Sequence, residues 1–181
     1  MHGLIFHELN KYIKEKADYT TRKQIWKDAG VEGKVYFVTQ IYPDQEIQAI
    51  VKASVNLLNI SQEELLEGFG KFIVPDLLSV YKSVIPSHWK TLDILEHTEN
   101  TMHKSVRFKD PNADPPKLIC QRVNENEVII DYSSERRMSD LGVGIAKGIA
   151  EFFQETIEIT KKQVQKDGKD IVEIRIKKIE E

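Results

Sequence analysis

A single cysteine, Cys120, in 181 residues excludes an internal disulfide and any zinc cluster built from several thiolates. It also makes a reducing cytoplasm the expected compartment. Long apolar runs are missing, so no membrane span is expected. The opening Met1-His2-Gly3-Leu4-Ile5-Phe6-His7-Glu8 meets polar groups too early for a secretory signal. An excess of positive charge is missing too: the net charge is −3, which argues against a nucleic-acid partner. Internal repeats and low-complexity linkers are absent. What remains is 40% apolar and 30% charged, ordinary for a globular chain long enough to bury one sizeable core.

The chain changes character near its middle. Residues 1 to about 110 read as helices. Thr21 with Gln24 and Ser61 with Glu64 are spaced as capping boxes, in which a hydroxyl satisfies a backbone N–H left unpaired by the first helical turn. Ile47, Ile50, Val51, Val55 and Leu58 recur at helical spacing. Pro75 and Pro86 bracket an expected boundary. A further helix is expected from Ser87 to Val106, with a break near Thr98. Pro111-Asn112-Ala113-Asp114-Pro115-Pro116 is a stiff connector. Strands follow at 117–123 and 128–133 around the turn Asn124-Glu125-Asn126-Glu127, then a helix at about 140–154. Strands at 156–165 and 171–179 flank Lys166-Asp167-Gly168-Lys169. The expected fold class is α+β: a helical N-terminal half packed on a four-stranded antiparallel sheet with one inserted helix.

Three features could carry chemistry. His103 shares a helical face with Leu92, Glu96, Glu99 and Val106. That mixed face fits a hydrogen-bonded histidine, or an imidazole ligating iron beside apolar groups. His97 lies six residues upstream, about 120° around the helix, so the two histidines do not naturally chelate one zinc ion. Tyr132-x-Ser134-x-Arg136 brings two hydroxyls and a guanidinium to one side if the strand continues that far. Such a trio suits a carboxylate, or is simply a polar strand end. Pro115-Pro116 is by itself a rigid strand entrance. Cys120 reads as a small core residue or a redox thiol.

In this order, His103, Pro116 and Tyr132-x-Ser134-x-Arg136 resemble the bacterial H-NOX family, the haem nitric oxide/oxygen binding domains, which are similar to the haem domain of soluble guanylate cyclase. Met1-x-Gly3-x-Ile5, Phe69-Gly70, the Gly-rich helix after Met138 and the terminal hairpin extend the resemblance over essentially the whole chain. It implies haem b buried between a distal helical subdomain, 1–60, and a proximal subdomain, 61–181, that carries His103 and the sheet. His103 is then the proximal iron ligand and Tyr132, Ser134 and Arg136 clamp the propionates. Pro116 and Ile5 press on the ring from its two sides.

In oxygen-binding members of the family, a tyrosine near the start of the helix after the clamp donates a hydrogen bond to the gas. That position here is Leu141, and Leu9 and Ile145 are also apolar. Losing one donor to a partly charged acceptor costs about 1.5–3 kcal/mol, or about ten- to a hundred-fold in affinity. The expectation is therefore nitric oxide, with carbon monoxide also binding, over oxygen. Tyr36, Tyr42 and Tyr81 remain open as donors from elsewhere. The resemblance further implies release of His103 on NO binding, a shift between the subdomains, and a separate partner. That partner is a sensor histidine kinase, a diguanylate cyclase or a cyclic di-GMP phosphodiesterase. An oxygen sensor or carrier, a haem catalyst and a haem-free interaction or lipid-binding domain are the competing readings.

Overall fold

The computed structural model describes residues 1–179. Helix α1, Gly3–Lys16, starts where the His2 imidazole accepts the Leu4 N–H at 3.3 Å, and it ends with Lys14 and Lys16 against its negative pole. Helix α2, Tyr19–Asp28, begins three residues earlier than the Thr21 box predicts. Asp18 caps it by accepting the Thr21 N–H at 2.8 Å, and a carboxylate is the stronger acceptor there. Helix α3, Asp44–Leu58, buries Ile47, Ile50 and Val51 and stops at left-handed Asn59.

Helix α4, Gln62–Val80, is capped by Ser61 as the spacing predicts, with Oγ accepting from Glu64 N at 3.0 Å. Pro75 does not end this helix; it lies within it. An interior proline costs about 3 kcal/mol. The buried Phe69, Ile73 and Val74 beside it contribute about 1.5–3 kcal/mol each, which is enough to carry the helix through.

Past Pro86 the chain forms α5, Thr91–His97, then a π-helical turn, Glu99–His103, then α6, Lys104–Lys109. The expected break near Thr98 is thus a widened turn rather than an interruption. The His103 N–H reaches back five residues to the Thr98 carbonyl at 3.1 Å.

Strands β1, Lys117–Asn124, and β2, Glu127–Ser133, precede α7, Ser139–Phe153. Strands β3, Thr156–Lys166, and β4, Lys169–Ile179, follow it. All pairs are antiparallel in the order β1-β2-β4-β3. Val128, Ile130 and Tyr132 alternate inward from β2 and meet Ile174 and Ile176 of β4, under Leu95 of α5 and Val143 and Ile149 of α7.

A second core joins Phe6, Leu9 and Ile13 of α1 to α3 and α4. Helices α4 and α7 tie the cores together because glycine lets their backbones touch. A Cβ on Gly70 would collide with the Leu141 carbonyl, and one on Gly144 with the backbone of Glu67. Among the described residues, no helix is long and apolar enough to cross a membrane.

Candidate functional site

A cavity of about 220 Å³ opens where the two cores meet. Ile5 reaches it from α1, Leu77 from α4, Leu141 and Ile145 from α7, and Ile130 and Ile174 from the sheet. His103 enters from the π-turn with Met102, and Pro115 and Pro116 enter from the connector. Tyr132 and Arg136 supply polar groups. Seven of the nine residues singled out from the sequence, Ile5, His103, Pro116, Tyr132, Arg136, Leu141 and Ile145, therefore line one space.

Leu9 does not. It lies one turn beyond Ile5 on nearly the same face of α1, past the end of the cavity, and is buried in the helical core with Phe6 and Ile13. Ser134 does not line it either. Strand β2 ends at Ser133, so the strict alternation that would aim Ser134 inward has already lapsed. Its Oγ accepts the Arg136 N–H at 3.3 Å, and its hydroxyl hydrogen-bonds the Tyr132 phenol.

The protonation state of His103 follows from its neighbours. Burial lowers its pKa below the ordinary value; the Glu99 hydrogen bond and charge push back without restoring it. The imidazole is neutral at pH 7. Burial raises the Glu99 carboxyl, but His103 and Arg107 outweigh it and hold the group below the usual range. An ionised carboxylate only accepts, so the proton in the 2.9 Å contact between His103 Nδ1 and Glu99 Oε2 sits on Nδ1. Nε2 therefore carries the lone pair. A single histidine with that tautomer is a competent axial ligand.

The opposite charge requirement is met at Arg136. Its guanidinium is only 6% exposed. Nε lies 2.8 Å from Asp44 Oδ2, yet its N–H is not aligned for a hydrogen bond to any partner. A buried guanidinium whose Nε is ion-paired but poorly aligned with Asp44 suits a further carboxylate. Imidazole lone pair, apolar walls and a cation with a phenol beside it are the donor set a porphyrin with two propionates needs. The residues fit that group.

Residues 2–161 match the family model described as haem-NO-binding. The chain belongs to the haem-NO-binding family. A mutant H-NOX protein from K. algicida, solved as unliganded Fe(II), superposes with a TM-score of 0.89 at 24% identity, covering 99% of this chain and 97% of that one. An H-NOX protein from S. oneidensis, solved in the Fe(II)NO state, gives 0.88 at 22% identity over 99% and 100%. Soluble guanylate cyclase gcy-31 of Caenorhabditis elegans is 23% identical over 145 residues. Those residues are 76% of this chain and 20% of that protein, so the H-NOX chain described here corresponds to a fifth of it. The architecture is that of the H-NOX proteins, in keeping with the haem-NO-binding family.

Several side chains at this H-NOX site leave little trace in the sequence. Glu99 shares the His103 face in a helical projection, but only the structure shows the contact. Tyr81 lines the cavity, whereas Tyr36 and Tyr42 are engaged elsewhere. The Tyr36 hydroxyl donates to Glu46 at 2.8 Å and that of Tyr42 to Gln40 at 3.1 Å, both rings packing on Phe6. His2 also lines the cavity, a position no periodicity marks, and His7 is exposed. His97 stacks on Trp89, with ring centroids 4.6 Å apart, and has no part in the site. Burial, with Glu99, Glu96 and Asp131, pushes the half-buried Cys120 thiol up to about 12, which disfavours the thiolate.

Proposed function

We propose that this chain is a nitric oxide sensor that carries haem b through His103. Bound haem would supply an iron centre that takes up diatomic gases. The observation that carries the reading is the 2.9 Å contact between His103 Nδ1 and Glu99 Oε2 at the wall of the cavity. Glu99 holds the Nδ1 proton, leaving the Nε2 lone pair for iron in a cavity with apolar walls. Arg136 and Tyr132 would hold the propionates, with Ser134 positioning Tyr132. Pro116 and Ile5 would press on the ring.

Gas choice rests on Leu141 and Ile145, which offer no hydrogen-bond donor on their part of a cavity wall that Tyr81 and His2 also line. Nitric oxide depends on such a donor far less, and carbon monoxide would bind on the same grounds. On NO binding, His103 would detach and free the π-turn and α6. Residues 1–60 would then shift as a distal unit against 61–181. NO must favour the detached state for any such shift to follow. The signal would pass in the cytoplasm to a histidine kinase or to an enzyme making or degrading cyclic di-GMP.

Absorption spectra of the reduced protein test this reading in three states: unligated, in air and with NO. The reading expects a haem spectrum that is unchanged by air and converts to a five-coordinate nitrosyl. A stable oxygen complex would establish the oxygen-sensor alternative. A colourless protein, made with ample haem, would make this an interaction domain.

A further inference from the structure

Glu99 and His103 are locked together from three directions inside the π-turn. Oε2 of Glu99 lies 2.9 Å from His103 Nδ1 and also accepts the Leu118 N–H at 3.3 Å, from the start of β1. Oε1 is held by the Arg107 guanidinium, one helical turn past His103. The wide turn itself is pinned by the bond from His103 N to Thr98 O, and by Thr98 and Thr101 hydroxyls donating four residues back at 2.8 and 2.7 Å. A carboxylate on the far nitrogen of a metal-bound imidazole fixes the ring's orientation and makes the lone pair more basic. A cation on the other carboxylate oxygen draws charge away and weakens that effect.

Resting on the haem reading above, we propose that Glu99 is a positioning residue that strengthens the hold of His103 on iron, and that Arg107 tempers it. Together they set how readily His103 lets go. The carboxylate resists release, and the guanidinium keeps that resistance low enough for a switch. Because the two residues act with opposite sign, a purely structural role is separable from an electronic one. Loss of packing would change both variants in the same direction.

The test uses the haem-loaded protein and the variants Glu99→Gln and Arg107→Gln. Readouts are the iron–histidine stretching band of the ferrous unligated form, the midpoint potential, and the six-coordinate fraction of the ferrous NO form. In Glu99→Gln the band moves to lower frequency, the potential rises and His103 detaches about tenfold more readily. In Arg107→Gln all three move the other way. Shifts of the same sign in both variants, or an unmoved band in Glu99→Gln, overturn the inference while leaving haem binding through His103 intact. If Glu99→Gln fails to hold haem, Arg107→Gln decides alone: an upward band shift supports the inference and an unmoved band overturns it. Absence of any iron–histidine band in the unaltered protein overturns the haem reading itself.

Discussion

Arg136 and Asp44 face each other across the two halves of the molecule, Nε to Oδ2 at 2.8 Å. Asp44 opens α3 and also accepts the Met1 ammonium at 2.6 Å, so one carboxylate ties α1, α3 and the segment after β2. Burial raises its pKa, but the ammonium and Arg136 outweigh this and hold it below the usual carboxylate range.

Asp44→Asn should therefore destabilise the haem-free protein by about 1.5–3 kcal/mol, the worth of a hydrogen bond to a charged group, in urea unfolding at pH 7. The effect should shrink when haem propionates give Arg136 a new partner. The sign with pH follows from the depressed value. The contribution is full above the ordinary aspartate pKa of 3.8 and is lost as pH falls through the folded one. Wild-type stability should converge on that of Asp44→Asn in acid.

On the proposed reading, gas selectivity turns on Leu141. Leu141→Tyr places a phenol on the cavity wall. The ferrous protein should then gain oxygen affinity by about ten- to a hundred-fold, seen as an oxygen complex in air-equilibrated buffer. Tyr81→Phe should leave the NO spectrum unchanged.

Pro116 is expected to bend the ring rather than to hold the fold. Pro116→Ala should cost only about 0.4–1 kcal/mol of stability, through added freedom of the unfolded chain. It should also diminish the out-of-plane porphyrin bands in the Raman spectrum.

Helices α4 and α7 set the cavity's width. Gly144→Ala forces a methyl against the Glu67 backbone and should destabilise by about 1–3 kcal/mol. Displacement of Leu141 and Ile145 should change the rate of CO rebinding after flash photolysis.

Much of this was legible in the sequence where the cause is local. Ser61 announces α4 because a cap needs only its own first turn. The turns at 124–127 and 166–169 fix both hairpins for the same reason. The sheet order was not legible, since β4 entering between β2 and β3 depends on pairing across 40 residues or more. Pro75 misleads because its helix is held by burial, a tertiary effect that local propensity does not contain. Tyr132 follows the alternation of β2, whereas the strand ends before Ser134, and Arg136 reaches the cavity from the turn beyond it rather than by alternation. Leu9 is apolar for packing rather than for gas contact, and the two look alike in sequence. The π-turn leaves no periodic mark, because one inserted residue shifts the phase only once. His103 was reached by its place in the ordered constellation, not by the amphipathicity of its helix.

The central claim is that His103 carries the iron, and His103→Gly tests it most directly, by absorption and resonance Raman spectra of the ferrous protein with and without added imidazole. The account predicts loss of the iron–histidine band in the variant and its return when imidazole fills the gap. An unchanged band without imidazole would contradict it.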